Sequence, residues 1–290
     1  MIDTIKFKID VSPDFLDNLQ FHGYLLQKKD GFGLIEDIKT VDEFVVNKWG
    51  YMVRLYTMDT PYGPPHFYIE FSVSKYLFGT NVYLCGLNDL PIVINSFYTQ
   101  LLKRYKKFPD PTTWDLQRVD LCYAWVFEEE KLKQTLKNLK LLRFPRKNHH
   151  LYKTTFMASG RSSTLRFYLK EPEFKKTDYK ILKQINPKYA DRVLQDSKNM
   201  IRWEVELRKS ALKTIYRSSH FIGYKNLLSY ATIYSLMLKQ LSLYYVDSYL
   251  LKDRVKPRFI HNVFNIPSKF LNFEAPPAGG ASSGTVTPLE

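Results

Sequence analysis

Ile201-Arg202-Trp203-Glu204-Val205-Glu206-Leu207-Arg208 is the stretch on which the reading of the fold turns. Successive side chains of a strand point to opposite faces, so Ile201, Trp203, Val205 and Leu207 make an apolar face and Arg202, Glu204, Glu206 and Arg208 a polar one. Two further stretches repeat the pattern. Arg118 to Val126 sets Arg118 and Asp120 against Val119, Leu121, Tyr123 and Trp125, and Leu165 to Lys170 sets Arg166, Tyr168 and Lys170 on one side. One buried and one polar face is how antiparallel sheets are patterned. The expected fold class is therefore α+β: an antiparallel sheet core with flanking helices and a C-terminal helical segment.

Working outward, alternation predicts strands at 2–10, 50–57, 66–73, 116–126, 150–158 and 163–170. In the first, strict alternation groups Asp3 with Ile5, Phe7 and Ile9. A short helix is expected from Ser12-Pro13, and another opens at Asp89 and closes on Lys103-Arg104-Tyr105-Lys106-Lys107, where its dipole favours cations. A third carries Glu128, Glu129 and Glu130 at its positive end, with Leu132, Leu136 and Leu139 as a buried stripe. Two short helices across 175–197 break at Asn186-Pro187, and 210–252 reads as helical. Gly160 is expected to supply a positive φ in the turn 159–162. The chain divides on this reading into a sheet-based domain at 1–213, a helical segment at 214–273 and a disordered tail at 274–290, which lacks any large apolar residue until Leu289.

The 290 residues carry 43 Lys and Arg against 29 Asp and Glu, a net charge of +14, and 16% are aromatic. Such a balance favours a polyanionic partner, nucleic acid before membrane, because no amphipathic basic anchor or lipidation signal is present. The longest apolar run, Leu121 to Phe127, is far short of the roughly 20 residues of a membrane span. The N-terminus reads as a strand without a secretory signal, which predicts a cytoplasmic protein, and Cys85 and Cys122 read as buried free thiols. The basic residues Lys103, Arg104, Lys106, Lys107, Arg146, Lys147, Arg161 and Arg166 are candidates for phosphate contacts, with Tyr105 as an exposed ring for base stacking.

Acids on adjacent strands can hold a hard divalent cation, Mg²⁺ or Mn²⁺, that neutralises a phosphate. A tyrosine beside it can attack phosphorus once its phenol, with an ordinary pKa near 10, is activated by a cation or a base. Lys170, on the same face as Tyr168, can contribute. Among the histidines, adjacent His149 and His150 point to opposite faces of a strand and cannot share one metal without a bulge. Tyr179 and Tyr189, on the following helices, compete with Tyr168.

Met1-Ile2-Asp3-Thr4-Ile5-Lys6, the segment Ile69 to Asn81, Arg118-Val119-Asp120, Tyr168-Leu169-Lys170 and Ile201-Arg202-Trp203-Glu204 occur in an order that resembles the replication initiators of filamentous phages, the gene II/X class. The likeness spans roughly residues 1 to 213. A more distant similarity is to plasmid rolling-circle initiators. The resemblance implies an enzyme that nicks one strand at an origin through a covalent 5′-phosphotyrosine, leaves a 3′ hydroxyl, and later rejoins the strand. It implies Tyr168 as nucleophile with Lys170 as companion, and Asp120, Glu204, Glu206 and Glu70 as the acids of the motif strands, with Glu70 unassigned in role. It further implies origin DNA, single- and double-stranded, as partner, with a host helicase and polymerase following. Many related endonucleases hold metal through a His-hydrophobic-His strand motif, which this sequence lacks, so acids are the expected ligands. Two other readings stay open on the residues alone: a non-catalytic protein coating single-stranded nucleic acid, and a metal-dependent nuclease in which water attacks.

Overall fold

The computed structural model describes residues 1–12, 15, 25–29, 35–60, 63–218, 221–241 and 245–246. The described residues form twelve strands: β1 (Ile2–Ile9), β2 (Leu25–Lys29), β3 (Ile35–Val45), β4 (Met52–Thr60), β5 (Gly63–Ser72), β6 (Asp115–Val126), β7 (Leu142–Arg143), β8 (Asn148–Leu151), β9 (Thr155–Ser159), β10 (Ser163–Leu169), β11 (Met200–Arg208) and β12 (Tyr245–Val246). Ten form one sheet in the order β2-β3-β4-β5-β1-β6-β11-β10-β9-β8, with every neighbouring pair antiparallel. The helices are α1 (Val73–Phe78), α2 (Asp89–Tyr105), α3 (Glu129–Leu139), α4 (Lys170–Thr177), α5 (Tyr179–Ile185), α6 (Pro187–Asp196), α7 (Lys209–Tyr216) and α8 (Tyr230–Leu241). The fold is α+β.

Burial follows the period-two pattern. Ile5, Phe7, Phe67, Ile69, Phe71, Val119, Leu121, Leu165, Phe167, Ile201, Val205 and Leu207 share one core. Trp125, Trp203, Phe167 and Phe156 stack ring on ring across β6, β11, β10 and β9 at centroid spacings of 6.0, 5.9 and 6.1 Å, which helps pin the register of these strands. Helix α2 covers this face through Leu90, Val93, Ile94, Phe97 and Leu101. Residues 222–237 pack into the same core through Ile222, Tyr224, Leu227, Ile233, Leu236 and Met237.

Among the described residues the opposite, polar face is covered at one end only. There Phe174, Leu182, Ala190 and Val193 of α4–α6 gather with Val82 into a second, smaller core. Gly79 makes this possible: its φ of +69° ends α1 in the left-handed region, and a Cβ on it would lie 2.5 Å from that of Trp49. The chain then turns to bring Asn81 over the strands.

Several expectations change. The helix pair expected over 175–197 is three helices, beginning at Lys170. Lys170 therefore opens α4 instead of extending β10. Gly160 does not take a positive φ; among the described glycines Gly50 and Gly79 do. A Cβ on Gly160 would come within 3.3 Å of the Lys147 side chain and the Ser163 carbonyl, so the demand there is close approach. The helix expected through 210–252 ends at Tyr216 and a new one begins at Tyr230; between them Ile222 is tied to the sheet, its carbonyl accepting from Leu116 N at 2.8 Å and its N–H donating to Asp115 Oδ1 at 3.0 Å. Strands β2, β3, β7 and β12 have no counterpart among the expected strands, and the strand expected over 150–158 is two, β8 and β9. The boundary drawn at 213 falls inside α7, and the expected tail at 274–290 lies outside the described residues, as does most of the helix expected from Ser12-Pro13.

Candidate active site on the polar face of the sheet

At its covered end the polar face holds a chain of ionisable side chains. Tyr168 and Arg202 are cross-strand partners on β10 and β11, and Glu204 lies one pleat along. The Tyr168 hydroxyl donates to Glu204 Oε1 at 2.6 Å, and Arg202 Nε donates to the same oxygen at 3.1 Å. Arg202 has no exposed surface. Its Nη1 donates to the Asn81 carbonyl, and its Nη2 lies 3.1 Å from Asp3 Oδ2 as a charge contact without hydrogen-bond alignment.

Asp3 reaches this cluster because of a bulge. Ile2 pairs with Leu121 and Ile5 with Val119, so three residues of β1 span two of β6, and the expected grouping of Asp3 with Ile5 and Phe7 is overturned. Asp3 accepts from Ser72 Oγ at 2.8 Å and Asn81 Nδ2 at 3.1 Å. Lys170, also without exposed surface, donates to Asn81 Oδ1 at 2.6 Å and to Glu173, and its ammonium lies 5.5 Å from the centre of the Tyr168 ring.

Burial sets the proton affinities here. It lifts Glu204 above the usual carboxylate range, with Asp3 adding to the lift and Arg202 opposing it. It works the same way on Asp3, but Arg202, Lys170 and the Ser72 and Asn81 hydrogen bonds outweigh it and hold that carboxyl low. The Tyr168 phenol, only 7% exposed, is pushed well above 10.0 by burial and by Glu204. Burial and Arg202 lower Lys170. The arrangement can move a proton from Tyr168 Oη to Glu204 Oε1 while two cations sit close by.

The other end is more open and arginine-rich. Arg118, 27% exposed, donates to Asp120 through Nε at 2.8 Å and Nη2 at 2.5 Å, and to Glu70 through Nη1 at 3.0 Å. Glu206, opposite Asp120 in register, meets Arg166 Nη2 at 2.6 Å and Arg208 Nη2 at 2.7 Å. Burial carries Asp120 to about 7 despite Arg118, whereas Arg118, Arg166 and Arg208 together overcome burial at Glu206 and lower it. Among the described residues no three His, Cys, Asp or Glu side chains are grouped to hold a metal ion. The four expected acids are brought to one face, but their oxygens are engaged by guanidiniums, so they do not form a ready metal centre.

The remaining expected residues fall elsewhere. Lys103, Arg104, Lys106 and Lys107 end α2, the helix on the apolar side, and so lie across the sheet from Tyr168. Arg104 is paired with Asp42, and Tyr105 is half-buried against Phe15 and Phe108 with its hydroxyl donating to Asp42 at 2.6 Å, so its expected role as an exposed stacking ring fails. Lys147 is spent on the β10 edge, donating to Ser163 O and Oγ at 2.7 Å, while Arg146 is exposed beside it. Arg161 sits in the β9–β10 turn, its carbonyl accepting from Arg208 at 3.0 Å. The ring of His149 stacks with Phe144 and Phe156, and its Nε2 accepts from Phe144 N at 2.8 Å, whereas His150 pairs with Ser159. Of the rival tyrosines, Tyr189 stacks on Trp49 at 4.4 Å and donates to the Phe78 carbonyl, and Tyr179 donates to Asp191. Neither meets a carboxylate of the sheet. Asp3, Asn81, Glu173 and Arg202 were not chosen as site residues from the sequence. Arg202 was visible on the polar face and Asn81 closed a quoted motif, but a bulge leaves no period to read.

The polar face of the antiparallel sheet thus brings a tyrosine, acids and buried cations together. The chain belongs to the family of phage replication-associated proteins of the gene II type, whose N-terminal model matches residues 1–235, which makes it a replication initiator of that type. No curated protein and no solved structure was found to match the chain. No helix among the described residues is long and apolar enough to cross a membrane.

Proposed function

We propose that the chain nicks one strand of its origin DNA by attack of Tyr168 Oη on phosphorus. The phenol proton passes to Glu204, the Oη–P bond forms, the P–O3′ bond breaks, and the 3′ oxygen leaves and takes a proton from solvent. The product is a 5′-phosphotyrosine with a free 3′ hydroxyl, and reversal with an incoming 3′ hydroxyl rejoins the strand. The observation that carries this reading is the 2.6 Å hydrogen bond from Tyr168 to Glu204, made between strands that lie within the residues the family model matches. Because Tyr168 is buried, its cover must give way for a phosphate to reach it. Mg²⁺ or Mn²⁺ belongs to the proposal as the cofactor to test: Glu70, Asp120, Glu204 and Glu206 are hard oxygen donors on neighbouring strands, and a cation entering there has to displace arginines.

The test is incubation of the full chain with origin-containing oligonucleotides and a divalent metal, followed by denaturing electrophoresis. A covalent adduct is expected with the wild type and none with Tyr168→Phe, which loses only the phenolic oxygen. An adduct that persists at Tyr179 or Tyr189 refutes the assignment. Nicking without any adduct transfers the reading to a water-using nuclease, and full activity in EDTA removes the metal.

A further inference from the structure

At its open end the polar face carries a wider pattern that takes in Glu70, Arg118 and Arg208 of the site above and extends beyond it. Arg54 pairs in register with Glu70, Glu70 with Lys6, Lys6 with Arg118 and Arg118 with Arg208. Register partners share a face and a level, so these five residues form one row running across β4, β5, β1, β6 and β11. Over these five strands the row spans about 19 Å at the usual strand spacing, and the same register sets Glu43 of β3 beside Arg54, 3.2 Å from its Nη2, so the row with that end holds four cations and two carboxylates. Beside it, one pair along β4 and β5, Tyr56 and Tyr68 stack at 5.5 Å, with the Lys6 ammonium 5.2 and 4.6 Å from their ring centres. Arg54 and Arg208 are 50% and 42% exposed along their side chains.

The structure assigns this row to the sugar-phosphate backbone of a single DNA strand that crosses the open end of the sheet on its way to Tyr168, with Tyr56 and Tyr68 offered to its bases. The row is continuous with the candidate active site. From Arg208 the polar positions of β11 proceed through Glu206 to Glu204, which holds the Tyr168 hydroxyl. A row of cations set crosswise to the strands follows a flexible backbone and neutralises successive phosphates. The guanidiniums are already held in place, Arg118 by Asp120 and Glu70, and Arg208 by the Gly160 and Arg161 carbonyls, so little side-chain freedom is lost on binding. A duplex is a poorer occupant, because bases paired within it cannot turn toward the rings. This assignment deepens the nicking proposal and rests on it for the direction of the strand.

The experiment measures fluorescence anisotropy of labelled single-stranded and duplex oligonucleotides against the full chain over a range of salt. The double variant Lys6→Gln, Arg54→Gln removes two charges from the row. It should bind single strands about tenfold or more weakly, and the slope of log affinity against log salt should fall by about 1.4, the value for two phosphates of a single strand. Tyr56→Leu and Tyr68→Leu should each weaken single-strand binding about fivefold or more while leaving the salt slope unchanged, since stacking is not an ionic contact. The comparison variant Lys103→Gln, Lys106→Gln, Lys107→Gln, on the far side of the sheet, should change little. Circular dichroism of each variant establishes that it folds. Unchanged affinity and slope in a folded Lys6→Gln, Arg54→Gln variant overturns the assignment, as does an equal loss in the far-side variant. Failure of the track and failure of the nicking reading stay distinguishable. A wild type that forms no adduct but loses single-strand affinity in the row variants keeps the track and loses the chemistry, and the reverse pattern does the opposite.

Discussion

The two ends of the polar face use the same residue types under different conditions. At the covered end one guanidinium, Arg202, is fully buried and lies against two carboxylates, Asp3 and Glu204. At the open end three partly exposed arginines surround Asp120 and Glu206. A buried charge has exchanged all its water for a few fixed partners, so each partner is indispensable. A partly exposed one keeps solvent as a substitute. Burial therefore concentrates energetic and chemical consequence on Arg202, Asp3, Glu204, Lys170 and Tyr168.

The largest expected difference follows from removing one cation at each end. Arg202→Met leaves Asp3 and Glu204 buried without their shared partner and should cost about 3–5 kcal/mol of stability, as breaking a buried ion pair does. Arg208→Gln, with its side chain 42% exposed, should cost about 1 kcal/mol or less. Urea unfolding of the wild type and both variants measures each loss. Equal losses would mean that the two ends are equally dry.

A smaller contrast lies in pH dependence at the open end, where neighbouring acids shift in opposite directions. The folded state keeps a proton on Asp120 up to about 7, whereas the unfolded chain releases it near 3.8. Between those values the folded state binds more protons, so this group's stabilising contribution is full below 3.8 and is lost as pH rises to about 7. Asp120→Asn should therefore gain on the wild type across that window. Glu206 is depressed below 4.5 by its three arginines, so its contribution is present above the ordinary carboxylate range and lost as pH falls through its folded value. The deficit of Glu206→Gln should be widest near neutrality and close on acidification. Denaturant midpoints at successive pH values test both, and parallel curves for the two variants would remove the distinction.

The faces were legible and their covers were not. Alternation in 118–126, 163–169 and 200–208 named the polar and apolar sides of the central strands correctly, because a one-residue error in a half-buried strand would put Trp203 and Phe167 in water. The same alternation misplaced Asp3, since one extra residue in β1 reverses its direction. The basic cluster at 103–107 shows the complementary limit: local sequence gives its charge and its helix end, but which side of the sheet α2 covers depends on long-range packing by Phe97, Phe71 and Phe44. Nor does period two distinguish a solvated polar face from one closed over by α4–α6, and that closure is what buries Lys170 and Tyr168.

The smallest effect is expected on that far side. Lys103 lies in the last turn of α2, and Lys106 and Lys107 follow it; all three are exposed. Cations there interact with the negative end of the helix dipole, which contributes a few tenths of a kcal/mol each at exposed positions. Lys106 also sits at φ +58°, a strained conformation for a residue with a Cβ whichever side chain it carries. Lys103→Gln, Lys106→Gln, Lys107→Gln should thus lower stability by about 1 kcal/mol or less at low salt, and the gap should shrink as salt rises because exposed charges are screened. Thermal unfolding at low and high salt measures it. A loss several times larger, insensitive to salt, would show that this helix end is built into the fold as firmly as Arg202, and the contrast between buried and exposed cations would no longer explain where this chain concentrates its energy.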